Sequence, residues 1–125
     1  MPSQQRVKRI ADRIQQILSE MLVTGRISDP RLTSVFITDV TLDRELSVAK
    51  IFISSLEGKE QSEAILAGLE HASGYLRSTL AREIPLRSFP NLRFFWDETP
   101  ERAERIDRLL DEIASDEGDL EEDEQ

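Results

Sequence analysis

Arginine side chains recur near the start of the chain at a spacing that can bind phosphate. Arg6, Arg9 and Arg13 follow i, i+3 and i+7 spacing, so on a helix they form one stripe, with Lys8 lying further round. A guanidinium group can hold two phosphate oxygens through parallel N–H···O bonds. This arginine stripe is a candidate anion-binding surface, although a solvated helix face explains the same spacing equally well.

A second group of arginines follows a small-residue segment in the middle of the chain and consists of Arg77, Arg82, Arg87 and Arg93. The segment, Ala72-Ser73-Gly74, lies about one helical turn before the first of them. We expect it to kink an amphipathic helix over residues 59–84 into a pair of helices, because glycine costs a helix about 1 kcal/mol relative to alanine.

A helix that restarts at this kink can bind an anion without a charged side chain. Its first turn presents free backbone N–H groups and a positive dipole end near Gly74. The Ser73 hydroxyl can cap this turn or donate a hydrogen bond. A packing role explains Gly74 nearly as well, since glycine lets another backbone approach closely, and both roles stay open.

Hydrophobic periodicity places these residues on a short series of elements. Apolar residues at helical spacing predict helices, and runs rich in Val, Ile, Phe and Thr predict strands. Gly25 and Pro85 end two of the helices. The predicted elements are a first helix over residues 5–24, strands over 35–42, 46–54 and 92–97, the kinked helices over 59–84, and a last helix over 99–114.

The order helix, strand, strand, helix, helix, strand predicts a two-layer α+β domain. The kinked helix pair between the second and third strands favours a right-handed crossover, and so a three-stranded mixed sheet with one parallel pair. The helices would pack on one face of this sheet. In the second strand the face with Ala49, Ile51 and Ile53 and the face with Val48 and Phe52 are both apolar, so alternation does not decide which is buried.

The chain has 125 residues, enough for one domain, and its net charge of −9 is unevenly distributed. Residues 1–95 carry 13 basic and 11 acidic side chains, whereas residues 96–125 carry 3 basic and 14 acidic ones. The acidic pI therefore does not exclude a nucleic-acid partner. We expect residues 115–125 to be a disordered acidic tail, after a domain at 1–98 and an appended C-terminal helix at 99–114.

The residue types exclude several function classes. With no cysteine and a single histidine, His71, the chain has no thiolate or multi-histidine metal site. It has neither an apolar run of the ~18 residues that span a membrane nor a secretory signal, so we expect a cytoplasmic protein. Asp39, Asp43 and Glu45 leave a metal-dependent nuclease open, but turn polarity explains them more simply. No serine has a nucleophile-elbow context, so we expect no catalytic triad and no cofactor.

Six short segments, in order over roughly 90 residues, carry a resemblance to a known family. They are Gln5-Arg6-Val7, Asp29-Pro30-Arg31-Leu32, Asp43-Arg44-Glu45-Leu46, Ala49-Lys50-Ile51, Ala72-Ser73-Gly74-Tyr75-Leu76-Arg77 and Pro90-Asn91-Leu92-Arg93-Phe94. The element order resembles the type II KH domain, whose Gly-x-x-Gly loop clamps a nucleic-acid backbone. Here Ala72-Ser73-Gly74 stands in place of that loop. This departure from the KH motif, together with the six segments, makes the sequence similar to ribosome-binding factor A, a family of bacterial small-subunit assembly factors.

The resemblance implies a KH type II-like fold and a non-catalytic factor that binds the free or immature small (30S) ribosomal subunit and its 16S rRNA. It implies assistance in late maturation and processing of 16S rRNA, notably at low temperature. No membrane or small-molecule partner is expected, and a monomer is the default. A general single-stranded RNA-binding chaperone is the alternative, followed by a metal-dependent RNA-processing nuclease.

The predicted RNA-binding residues lie on the first helix and around the kink: Arg6, Lys8, Arg9, Arg13, Ala72, Ser73, Gly74, Arg77, Arg82 and Arg87. We expect mostly backbone and shape recognition, and hence an affinity that falls steeply with salt. Phe94, Phe95 and Trp96 are stacking candidates, although a core role is the simpler explanation for most of them. The acidic tail would repel RNA, and we expect it to tune release or to fold back over the basic surface.

Overall fold

The computed structural model describes residues 3–123, with side chains described through residue 115. Within this part the elements are α1 (Gln4–Val23), β1 (Val35–Leu42), β2 (Val48–Ser55), α2 (Ser62–Glu83), β3 (Asn91–Trp96) and α3 (Thr99–Asp123). Short 3-10 turns at Pro30–Leu32 and Lys59–Gln61 lie in the connections. The predicted first helix and all three strands are confirmed, with small displacements of their ends.

The strands form one mixed sheet in the order β1-β2-β3. β1 and β2 pair antiparallel, with Leu42 opposite Ala49, and β2 and β3 pair parallel, with Ile51 opposite Phe94. The β1 ladder is irregular at Thr38, which has no partner on β2. The α+β class and the mixed sheet with one parallel pair are therefore confirmed.

The core lies between this sheet and the first two helices. α1 packs against β1, α2 packs against β3, and the two helices contact each other. On β2 the covered face is that of Ala49, Ile51 and Ile53, all fully buried, which decides the question that alternation left open. Each buried isoleucine contributes roughly 1.5–3 kcal/mol through loss of apolar surface from water. The two-layer, KH type II-like architecture is as predicted.

α1 begins and ends at signals in the sequence. The Ser3 hydroxyl accepts the backbone N–H of Arg6 at 3.1 Å, an N-cap worth about 1 kcal/mol. Gly25 has φ of +71°, a left-handed conformation that favours glycine. The N–H of Arg26 then bonds the carbonyl of Met21 at 3.2 Å, as in a Schellman motif. The predicted helix end at Gly25 is confirmed.

α2 is one helix from Ser62 to Glu83, so the predicted break at Ala72-Ser73-Gly74 is wrong. The Ser73 hydroxyl donates to the carbonyl of Glu70 at 2.7 Å and is satisfied within the helix instead of capping a new one. The propensity cost of Gly74, about 1 kcal/mol, is smaller than the cost of leaving a full turn of backbone groups unpaired. Buried leucines on both sides of the segment also hold α2 on the core.

The close approach that the sequence places at Gly74 occurs at Gly68 instead. A Cβ at Gly74 would meet nothing within 4 Å. At Gly68 it would lie 3.1 Å from Oδ2 of Asp29 and 3.3 Å from Nε of Arg31. These two side chains form an ion pair at 2.7 Å between Arg31 Nη2 and Asp29 Oδ2. Gly68 therefore lets the turn at residues 29–32 pack directly on α2.

α3 continues to Asp123, beyond residue 114 where the last helix was predicted to end. The backbone at residues 115–123 is thus helical where a disordered tail was expected, and residues 124–125 lie outside the described residues. The division of the chain at residues 98 and 114 stays a prediction.

The apolar stripe of α3 does not pack on the core. Its side chains at Ile106, Leu109, Leu110 and Ile113 are each more than half exposed. None of the helices within residues 3–123 has the length and apolar character of a membrane span.

Candidate nucleic-acid interface

The arginine stripe of α1 lies on the surface and keeps its charge. Arg6, Arg9 and Arg13 are exposed, and helical geometry places them within about 60° of one another around the axis. Arg13 Nη1 donates to Oε1 of Gln16 at 3.2 Å, which leaves its charge intact. Among the described residues, no carboxylate lies within ion-pair distance of these three guanidinium groups. The predicted stripe therefore presents unneutralised positive charge.

Lys8 lies on the other flank of α1 and is partly neutralised. Its Nζ donates to Oδ1 of Asp12 at 2.8 Å, and this bond is the main cause that raises the pKa of Lys8. Lys8 also lines an open cavity of about 740 Å³ with residues 39–42 of β1 and with Arg44. An exposed ion pair of this kind stabilises little because water screens it, so a phosphate can compete with Asp12 for Lys8.

Arg77 ties a loop to α2. Its Nε donates to the carbonyl of Pro90 at 3.1 Å, and its Nη2 donates to the carbonyl of Phe89 at 2.6 Å. Both loop residues are buried, so these bonds fix the chain just before β3. A guanidinium group has five N–H donors, and the remaining ones are open to a phosphate. Arg77 therefore has a structural role that the sequence did not reveal.

Arg82 and Arg87 are both exposed near the end of α2. Nη2 of Arg82 makes one long bond, 3.4 Å, to the hydroxyl of Thr79. Within the described part of the chain, neither arginine is in an ion pair. Because α1 and α2 contact each other on one face of the sheet, the arginine stripe and Arg82 belong to the same layer of the domain. Arg87 lies in the loop that follows α2, and Arg93 lies on β3 in the sheet.

The small residues of α2 supply no helix N-terminus. Because α2 is continuous, the backbone N–H groups near Gly74 are not freed by a break. Ala72 packs against the core, and the hydroxyl of Ser73 bonds within the helix. Only Gly74 is fully on the surface. A direct RNA contact by these three residues stays a prediction, whereas the anion site built from a helix start is wrong.

Two cations near the candidate site were not predicted from the sequence. Arg44 reaches the cavity beside Lys8 because the hairpin turn brings it back towards α1. Lys50 is exposed on the sheet face opposite the helices. Its alternation with the buried Ala49 and Ile51 was the available signal, but it becomes usable only once the buried face is known.

The hairpin carboxylate of Asp43 is used in the turn. It accepts the Ser47 hydroxyl, the Ser47 N–H at 2.7 Å and the Val48 N–H at 3.0 Å. These bonds, led by that of the Ser47 side chain, hold the pKa of Asp43 below its usual value. The described side chains include no group of three or more His, Asp or Glu residues placed to hold a metal ion. Turn formation accounts for Asp43 without a nuclease site.

Comparison with known proteins gives one family. A family model described as ribosome-binding factor A matches residues 6–110. The ribosome-binding factor A of Nitrosomonas europaea is 43% identical over 109 residues, which cover 87% of this chain and 92% of the relative. The crystal structure of ribosome-binding factor A from Thermus thermophilus is similar with a TM-score of 0.63 and 25% identity, over 71% of this chain and 93% of that one.

A further structural match comes from a complex. A homology model of the Thermus thermophilus ribosome-binding factor A, fitted into a cryo-electron microscopy map of its complex with 30S, is similar with a TM-score of 0.52. The identity is 25%, over 69% of this chain and 93% of that one. The family match runs from the arginine stripe through the sheet and into α3. The chain therefore belongs to the ribosome-binding factor A family.

Proposed function

We propose that this protein binds the free or immature 30S subunit through its 16S rRNA and assists late maturation and processing of that rRNA in the cytoplasm, notably at low temperature. The Thermus thermophilus relative forms a complex with 30S, and membership of the same family supports the same partner here. The observation that carries the proposal is the arginine stripe, three exposed guanidinium groups without ion-pair partners among the described residues. The protein acts as a monomer and by binding alone.

The stripe suits a phosphate backbone. Its three arginines extend about 10 Å along the axis of α1, and each guanidinium can hold a phosphate bidentately. Phosphate contacts fix position and orientation without reading sequence, which suits recognition of a folded rRNA surface by its shape. Arg82, on α2 in the same layer of the domain, and Arg87, in the loop that follows α2, add further exposed positive charge.

Salt dependence gives a quantitative expectation. Each neutralised phosphate contributes roughly −0.7 to −0.9 to the slope of log K against log salt. Three phosphate contacts by the stripe alone therefore predict a slope of about −2 to −3 for binding to small-subunit particles. Removing the stripe should flatten the slope by that amount.

Charge reversal of the whole stripe to glutamate tests the proposal, with co-sedimentation with precursor small-subunit particles as the readout. The matched control reverses three exposed arginines of α3, namely Arg102, Arg105 and Arg108, and so changes the net charge equally. We expect the stripe variant to lose its binding to the particles, while the control variant still co-sediments with them. All six positions are exposed, so each single substitution should change the unfolding free energy by no more than about 0.5 kcal/mol, and the exposed ion pair of Arg102 with Glu98 that the control removes is itself weak. Retained binding by a folded stripe variant would refute the proposed surface.

Competition separates an assembly factor from a general RNA chaperone. An excess of unstructured RNA should leave the wild-type protein on precursor particles if the particle offers a specific surface. Displacement at equal nucleotide concentrations would instead support the chaperone.

A further inference from the structure

The outer face of the sheet, turned away from α1 and α2, carries a pair of stacked aromatic rings. Phe52 on β2 and Phe95 on β3 are partners in the parallel ladder. Their ring centroids lie 5.6 Å apart with an angle of 30° between the planes. Phe95 is 40% exposed, whereas Phe52 is half-buried beside it. One ring therefore supports the other, and the outer ring offers a fixed aromatic surface to solvent.

Two cations lie on the same strands, two residues before the aromatic pair. Lys50 and Arg93 are also ladder partners, and both are exposed on this outer face. Alternate residues of a strand are about 6.6 Å apart, so the ammonium and guanidinium groups flank the aromatic pair within the reach of one nucleotide. Arginine beside an aromatic ring is a common arrangement for unpaired nucleic acid.

Negative charge lies beside the aromatic pair and beyond it on this face. Asp39 is the ladder partner of Phe52 on β1. Asp97 follows β3 and accepts the Thr38 hydroxyl at 2.6 Å, a bond that is the main cause of the lowered pKa of Asp97. Asp39 repels phosphate from the β1 side of the pair and Asp97 repels it from the end of β3, so the charge distribution orients a bound strand with its phosphate at Lys50 and Arg93.

We propose that this outer sheet face binds single-stranded RNA, with one unpaired base stacked on Phe95 and the adjacent phosphate held by Lys50 and Arg93. The proposal rests on the proposed function, to which it adds a second contact surface on the layer opposite the arginine stripe. A single exposed ring between charged groups is too small an apolar surface for a stable protein interface, which needs about 1,000 Å². Stacking on one ring is sufficient for a nucleobase and tolerates any sequence.

Substitution of Phe95 by leucine removes the stacking surface while retaining an apolar side chain. We expect the affinity for a short oligouridylate to fall about 5- to 150-fold, the loss of one base–aromatic stack. The Phe95→Tyr variant keeps the ring and should bind like the wild type. The matched control is Tyr75→Leu, which removes the 48% exposed ring on α2 and should leave oligouridylate affinity unchanged.

Salt dependence distinguishes stacking from charge. The Phe95→Leu variant should keep the wild-type slope of log K against log salt. The Lys50→Ala, Arg93→Ala double variant should lose about 0.7 from the slope for each phosphate contact removed. In NMR spectra the ring signals of Phe95 should shift on addition of oligouridylate, while those of the buried Phe89 should not.

Failure of this inference is distinguishable from failure of the proposed function. If Phe95→Leu binds oligouridylate as the wild type does, the outer face is not an RNA site, and particle binding through the arginine stripe is untouched by that result. Equal losses in Phe95→Leu and Tyr75→Leu would also overturn the inference. If the wild type never co-sediments with particles but binds oligouridylate through Phe95, the proposed function fails and the sheet face remains an RNA site.

Discussion

Substitution of Gly74 by alanine should stabilise the protein, because α2 runs through this position as a regular helix. A Cβ at Gly74 meets no atom within 4 Å, so the methyl group costs no packing strain. The expected gain is the helix propensity difference, about 0.8–1 kcal/mol. For a domain of this size that corresponds to a rise in Tm of roughly 3–6 °C.

Gly68→Ala is the matched control, because it makes the same change in the same helix. Its Cβ would lie 3.1 Å from Asp29 Oδ2 and 3.4 Å from Cδ2 of the buried Leu32. The ion pair with Arg31 limits how far Asp29 can move. We therefore expect the Gly68→Ala protein to be less stable than the Gly74→Ala protein by about 1 kcal/mol or more.

Urea unfolding followed by circular dichroism measures both variants. The midpoint should rise for Gly74→Ala with an unchanged m-value, which indicates a change in stability and not in exposed surface. A loss of stability in Gly74→Ala would refute the reasoning, since it would require a backbone conformation at Gly74 that alanine cannot adopt. A stabilised variant that binds precursor particles more weakly would place RNA in the open space beside Gly74.

Three further predictions address the loop, the ion pair and the acidic segment. Arg77→Ala should lower the free energy of unfolding by about 1–3 kcal/mol, because the bonds to the carbonyls of Phe89 and Pro90 are lost, while Arg82→Ala should be near neutral in the same urea titration. The hydrogen bond from the Arg31 side chain is the chief cause that lowers the pKa of Asp29 from 3.8 to about 2. The contribution of ionised Asp29 to stability is therefore present above pH 3.8 and is lost as the pH falls through about 2. The Asp29→Asn protein should lose less stability than the wild type over that pH range, and an equal loss would contradict this role of Asp29. Deletion of residues 115–125 should tighten RNA binding at low salt and have little effect at high salt, and an unchanged affinity in a low-salt titration would exclude a role of this segment in binding.

The sequence predicts those elements that have a strong local signal. Hydrophobic periodicity identifies α1 and the three strands, and Gly25 ends α1 as expected because a left-handed conformation strongly favours glycine. The crossover between β2 and β3 follows from the order of elements alone. These features depend on pattern and chirality, which a single sequence contains.

The role of each glycine could not be predicted in the same way. Gly68 and Gly74 both lie within a helical pattern, and only the packed structure reveals that the turn containing Asp29 rests on Gly68. The prediction of a break at Gly74 gave too much weight to the helix-propensity cost of glycine, which tertiary packing outweighs. Close approach depends on contacts between distant segments, which local spacing does not contain.

The sequence predicts which residue types form the candidate site better than it predicts how they are arranged in space. Exposure of the arginine stripe follows from its position beside the apolar face of α1, whereas the loop contacts of Arg77 depend on a segment twelve to thirteen residues away. The pairing of Lys50 with Arg93 depends on the register of β2 against β3. Register across a long crossover is fixed by the whole core, so these neighbours appear only in the folded protein.

The position of β2 at the centre of the sheet has a consequence for synthesis of the chain. Its first edge is paired early, because β1 precedes it directly, but its second edge must await β3, whose Asn91 pairs with Val48. During translation that edge is open while all of α2 emerges, and an open hydrophobic edge recruits strands from other chains. A nascent polypeptide that stalls before residue 91 is thus an aggregation hazard, and this edge is protected only once β3 has left the exit tunnel and paired with β2.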